Sequence, residues 1–206
     1  MIACDFDNHF VHVSAGWEGS ASDARVLQDA LQNNFYVPEG KFYLVDAGYA
    51  NTPNFIAPYR NVRYHLKEQG RSNQRPQDPQ ELFNLRHAQL RNHVERIIGV
   101  LKKRFPILMC ASQYPIDSLA EIAITCCVLH NFICNNNGGE QWLDQVESDI
   151  DPTKIIDVPS GDKQYTSDIH SLNERRALGS AKRDEIAQAM WEDYQNYLTR
   201  TRRTTT

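Results

Sequence analysis

Missing from this chain is any pair of cysteines spaced C-x-x-C. The five cysteines fall at positions 4, 110, 126, 127 and 134. An odd number without metal-ligand spacing argues against a disulfide framework or a zinc site and reads as reduced thiols in a cytosolic or nuclear protein. The N-terminus lacks the charged-then-apolar pattern of a secretory leader. No apolar run reads as approaching membrane-spanning length, so no membrane partner is expected. Helix-turn-helix spacing is absent too, and with it any separate DNA-reading module. Net charge is only −4, which by itself excludes neither an acidic nor a basic partner. What is present is ordinary for a soluble globular protein: 41% apolar residues and 10% aromatics over 206 residues. That is enough for one domain with a buried core, plus a tail.

The strongest pattern is DPQELFNLRHAQLRNHVERIIGVLKKRFP, residues 78–106. Asp78 reads as an N-cap, Pro79 as the first helical residue and Glu81 as the second half of a capping box. Pro106 disfavours helical geometry at Phe105, so the helix should end there. Leu82, Leu85, Leu90, Val94, Ile97, Ile98 and Leu101 recur every three or four residues as a buried stripe. Glu95 lies beside Val94, Ile98 and Leu101, so its carboxylate is expected to be carried toward packed structure. Gly99, one turn on, leaves room near it. The alternative is a pairing of Glu95 with Arg91 or Arg96 at the edge of the stripe.

A second pattern, KFYLVDAGY at 41–49, reads as a short buried strand ending at Asp46. Carboxylates at the ends of such strands lie where open α/β sheets place their sites. A strand-end Asp and a Glu on a later helix are what two-metal phosphoryl transfer needs, since hard divalent cations prefer carboxylate oxygens.

Residues 1–13 predict a hairpin turning at Asp7-Asn8, with Asp5 near a strand end. The GWEGSASDARVL stretch predicts a helix capped by Ser20 or Ser22, with Val26, Leu27, Ala30 and Leu31 on its apolar side. Asp23 then stabilises the helix start. NVRYHL at 61–66 reads as a further strand within an otherwise irregular loop. Residues 118–134 predict a helix capped by Ser118 and apolar nearly all round, hence buried. His87 and His93 are six residues apart, which does not put two ligands on one helical face, so they and His130-Asn131 read as backbone-contacting groups.

Charge is segregated along the chain. Residues 60–104 hold 11 Lys or Arg against 4 acids, a net of +7, and residues 140–174 hold 9 acids against 2 Lys, a net of −7. The basic run follows the Asp46 segment and contains Glu95, and it is the footprint of a phosphate-backbone binder. Arg60, Arg63, Lys67, Arg91, Lys102 and Lys103 are its candidate nucleic-acid contacts. Domain organisation follows: a domain at 1–136, an acidic, disordered linker at 137–178, and an amphipathic helix with a basic end at 179–206. Ile186, Met190, Trp191, Tyr194 and Leu198 mark that helix, which serves either as a protein-partner surface or as a last core helix.

GWEGSASDARVL, FYLVDAGY, APYRNVRYHL, FNLRHAQLRNHVERIIGVLKKRFPIL and VLHNFI together, in this order, resemble the DDE domain of Harbinger-type transposases and their domesticated descendants, over about residues 2–134. The resemblance implies an α/β, RNase H-like fold and a nuclease site of two Asp and one Glu holding Mg²⁺ or Mn²⁺. Asp46 falls on the second acid of the set and Glu95 on the third. The first belongs to a strand upstream of the ACDFD segment, so that strand is expected to be absent from this chain. Two functions are compatible with this pattern. One is a divalent-metal-dependent nuclease acting on DNA in the nucleus, with a cytoplasmic pool also allowed. The other is a non-catalytic DNA-interaction module.

Overall fold

The structure, a computed structural model, describes residues 1–62, 75–110, 114–136 and 169–204. Residues 63–66 of the expected strand at 61–66 and the greater part of the acidic tract lie outside these residues. The fold is mixed α/β with two small sheets. Its chain divides into two compact units.

The first unit is built from Met1–Tyr36 and Arg91–Asp151. Strands β1 (Ile2–Cys4) and β2 (Phe10–Val13) form the predicted antiparallel hairpin, with Ile2 opposite Val13 and a register shift between Ala3 and Cys4. Asp5 makes the turn: its Oδ1 accepts the amides of Asp7 and His9, both at 2.9 Å. Asn8 follows at φ +67°, a left-handed conformation that asparagine tolerates better than most residues. Helix α1 (Asp23–Gln32) starts at Ser22, whose hydroxyl accepts the Arg25 amide, and buries Val26 and Ala30.

Helix α2 runs from Pro79 to Arg104 and ends where Pro106 predicts. Asp78 Oδ1 accepts the Glu81 amide at 2.8 Å, and Glu81 Oε2 accepts the Gln77 amide at 2.9 Å, one residue before the cap. Its second half contributes Ile97 and Leu101 to the core of the first unit, with Phe10, Cys126 and Cys127. Burial raises the thiols of Cys4 and Cys127 to about 11, which leaves them unreactive near neutral pH.

Helix α3 spans Ile116–Asn135 and begins at Pro115, so Ser118 lies inside it rather than capping it. The expectation of burial all round is corrected. Cys126, Cys127 and His130 face the core, while Ile116, Val128 and Phe132 are more than 60% exposed. By length and composition alone this helix could cross a membrane, which corrects the reading that no apolar run approaches that length. His130 Nε2 donates to the Asn8 carbonyl at 2.9 Å. Asn131 holds β2 by both ends of its amide, accepting the Phe10 amide and donating to the Phe10 carbonyl, each at 2.9 Å. His93 meets the Asp5 carbonyl at 3.1 Å. These are the backbone contacts anticipated, but with segments far away in sequence.

Mild acid should therefore weaken the first unit. Burial lowers the His130 pKa from the usual 6.5, and the Arg104 guanidinium, 3.2 Å from Nδ1, pushes the same way. The Asn8 carbonyl opposes them, and Cys134 and His9 are its other ionisable neighbours. His12, its ring tilted against Phe35 with centroids 4.5 Å apart, is lowered by burial as well. Below pH 6.5 the unfolded chain then binds more protons, so this stability is complete above that pH and is lost as the pH falls. The urea midpoint should drop between pH 7.5 and 5.5, and drop less in His130→Gln. An equal drop in both would remove His130 as a source.

The second unit takes Val37–Leu90 and the C-terminal helix. Strand β3 (Tyr43–Leu44) pairs in parallel with β4 (Phe55–Ile56). The expected strand over 41–49 is thus only two residues long, and its side chains are half-buried. Helix α4 runs from Ile169 to Thr204, starting ten residues before the expected 179. It is a core helix here: Ala187 is buried, and Ile186 and Met190 pack on Ile56, Tyr59 and Phe83.

Candidate functional site

The β3 ladder places Asp46. Tyr43 N–H donates to the Asn54 carbonyl at 2.9 Å and Val45 N–H to the Ile56 carbonyl at 3.0 Å. Asp46 is the next residue, half-buried at the carboxyl end of a parallel strand. Its Oδ1 accepts the Ala47 amide, and its carbonyl accepts the Tyr49 amide at 3.1 Å. The carboxylate is therefore oriented by its own turn.

Arg60 reaches the same turn. Its guanidinium donates to the Ala47 carbonyl at 2.7 Å while the residue as a whole stays exposed. The segment leading to it is fastened from within the unit. Asn51 Oδ1 accepts the Ala57 amide at 3.0 Å. Asn84, fully buried on α2, accepts the Tyr59 amide at 2.8 Å and donates to the Tyr59 carbonyl at 3.0 Å. His87 Nε2 lies 3.2 Å from the Ile56 carbonyl. One acid and one cation are thereby held on neighbouring pieces of backbone, an arrangement suited to an anionic ester with a cation beside it.

Glu95 belongs to the first unit and Asp46 to the second. Glu95 is exposed, which corrects the expectation that its carboxylate is carried into packed structure. Asn84 and Ala88 are buried on α2, and Glu95 follows them by eleven and seven residues, about three and two helical turns. That side of the helix faces a core in its first half and solvent in its second. Arg91 is half-buried, one turn before Glu95, and its charge bears on Cys4. Lys102 and Lys103 are exposed in the last turn. Arg63 and Lys67 lie outside the described residues.

A divalent cation takes six or more oxygens, several from carboxylates. Among the described residues no three His, Cys, Asp or Glu side chains group to hold a metal. The described donors of either unit alone do not fit such an ion. Sequence reasoning passed over Asn84, Tyr59 and Arg183, which support the Arg60 segment. A long-range amide bracket leaves no spacing signal, although a buried asparagine within an apolar stripe is itself a hint.

The model of the family described as DDE superfamily endonuclease matches residues 1–131. The candidate nuclease HARBI1 of Rattus norvegicus is 27% identical over 158 residues, covering 73% of this chain and 41% of its own length. Human HARBI1 is 27% identical over 149 residues, covering 69% and 38%. A protein named ALP1-like from Arabidopsis thaliana is 29% identical over 160 residues, covering 68% and 35%. The chain thus spans between 35% and 41% of the length of these relatives. No solved structure matches.

Proposed function

The chain belongs to the DDE superfamily endonucleases, which match it over residues 1–131, and from that premise we propose that it is a transposase-derived, nuclease-like protein acting on DNA phosphodiester bonds in the nucleus. The observation that carries the reading is the turn after β3, where the Asp46 carboxylate and the Arg60 guanidinium share one stretch of backbone. Asp46 and Glu95 are the second and third acids of an RNase H-like site. Arg60, Arg91, Lys102 and Lys103, with Arg63 and Lys67, contact the phosphate backbone. Mg²⁺ or Mn²⁺ is the cofactor this reading implies.

The experiment is calorimetric titration with Mn²⁺ of wild type, Asp46→Ala and Glu95→Ala, with plasmid nicking in parallel. Wild type should bind and nick, and each substitution should lower nicking by at least about a hundredfold, on the scale of losing a group that stabilises the transition state. If wild type neither binds Mn²⁺ nor nicks but still retards DNA, the chain is a non-catalytic DNA-interaction module. If it does none of these, the proposal fails.

A further inference from the structure

Helix α4 lies outside the residues that carry the family match, yet three consecutive side chains on it grip the segment leading into Arg60. Lys182 Nζ donates to the Pro53 carbonyl at 3.0 Å and stands 4.6 Å over the Phe42 ring. Arg183 donates to the carbonyls of Ala57 and Pro58, each at 3.1 Å, and its guanidinium lies 3.9 Å over the Tyr59 ring. The Tyr59 hydroxyl donates to Asp184 Oδ1 at 2.6 Å. Burial and the Asp184 carboxylate both raise the Tyr59 pKa, so this donor keeps its proton.

Ala57, Pro58 and Tyr59 are buried, and a buried carbonyl must find a donor. Among the described residues no strand reaches the Ala57 and Pro58 carbonyls; Nη1 of Arg183 on α4 donates to both. Arginine adds a planar, delocalised cation that lies over the Tyr59 ring while one of its nitrogens serves both carbonyls. The next residue is Arg60, fastened to the carbonyl that follows Asp46.

We propose that α4 is a positioning element of the phosphodiester site. Arg183 and the Tyr59–Asp184 pair fix residues 53–59, that segment fixes Arg60, and Arg60 fixes the Asp46–Ala47 turn. The functional meaning of this rests on the nuclease reading above. The tail helix is then part of the site's support rather than an appended partner-binding element.

The test uses the full chain with Arg183→Ala, Arg183→Lys and, as a control at an exposed position of the same helix, Gln188→Ala. Amide hydrogen exchange at Ala47 and Tyr49 and the Arg60 Nε–H resonance are read by NMR, and Mn²⁺ binding by calorimetry. Arg183→Ala should speed exchange at Ala47 and Tyr49 by about tenfold or more, as local opening becomes easier. It should also broaden the Arg60 signal and weaken Mn²⁺ binding. Arg183→Lys should fall between, and Gln188→Ala should match wild type. Faster exchange at Ala57 and Tyr59 with Ala47, Tyr49 and Arg60 unchanged would overturn the proposal, as would altered exchange with undiminished Mn²⁺ binding. If wild type binds no Mn²⁺, the nuclease reading falls, while the exchange data still decide whether α4 governs the Asp46 turn. Should Arg183→Ala not fold, Tyr59→Phe removes only the bond to Asp184, and the same signals are read.

Discussion

Gly179→Ala should destabilise the second unit by about 3 kcal/mol, the upper range for forcing an added methyl into packed structure. A Cβ at this position would lie 2.5 Å from Thr52 Cα, 2.6 Å from Thr52 C and 2.7 Å from Thr52 N. All three are backbone atoms, so no side chain can swing aside. Thr52 is itself tied down: its amide donates to the Phe55 carbonyl at 2.9 Å, and its carbonyl accepts the Phe55 amide at 3.1 Å. Relief therefore requires α4 to lift off. The grip of Lys182 and Arg183 on residues 53–58 would lift with it. In an exposed helix the same substitution stabilises by about 1 kcal/mol, so the sign of the change decides which effect governs. Urea unfolding gives the answer. Gly19→Ala, with nothing within 4 Å of the added carbon, is the control and should be close to neutral. A gain in stability from Gly179→Ala would mean that α4 does not rest on Thr52.

How much of this was legible depended on whether the cause was local. The caps of α1 and α2, the stop at Pro106 and the Asp5–Asn8 turn are set by residues within a few positions, and the pattern alone located them. The exposure of Glu95 is different. Periodicity treats α2 as one stripe, but its first half buries Leu82, Phe83, Asn84, His87 and Ala88 while its second buries Ile97, Val100 and Leu101. Leu82 and Val100, about five turns apart, share one side, but Asn84 and Ala88 widen the buried arc in the first half only, and Glu95 falls on that added part of the arc, where the second half buries nothing. The start of α4 was hidden by composition. Residues 169–178 carry mostly polar side chains and sit next to an acidic run, so nothing local distinguishes them from linker. The helix is seated further on, by Gly179, Arg183 and Ala187, at four-residue intervals. A glycine in that row reads as a helix breaker until the backbone opposite it is seen. For Asp46, the end of the β-branched run marked the place, but the anchoring of Arg60 on the Ala47 carbonyl could not be read from spacing.

Asn84→Ala should be the most damaging substitution on α2, costing about 3–5 kcal/mol, because it strands two buried backbone groups at once and each costs about 1–3 kcal/mol when unpaired. Asn84 is fully buried, and its amide brackets Tyr59 as a neighbouring strand would, taking the N–H and supplying the C=O with a donor. Asn131 treats Phe10 the same way, but it is only half-buried. Water can substitute there, so Asn131→Ala should cost nearer 1–2 kcal/mol. Asn84→Asp separates the two halves of the bracket. It keeps an acceptor for the Tyr59 amide and turns a carboxylate oxygen toward the Tyr59 carbonyl. Burial and that carbonyl both favour the protonated acid, which restores the donor and raises the folded-state pKa of the new group above its unfolded value. Its contribution to stability is then complete below the unfolded carboxyl pKa and is lost as the pH rises through the folded one. Relative to wild type, Asn84→Asp should thus be least impaired in acid and worst near neutrality. Urea midpoints of both proteins across pH 4 to 8 test this. A difference that stays flat with pH would place position 84 in contact with water and remove the bracket as the restraint on the Tyr59–Arg60 segment.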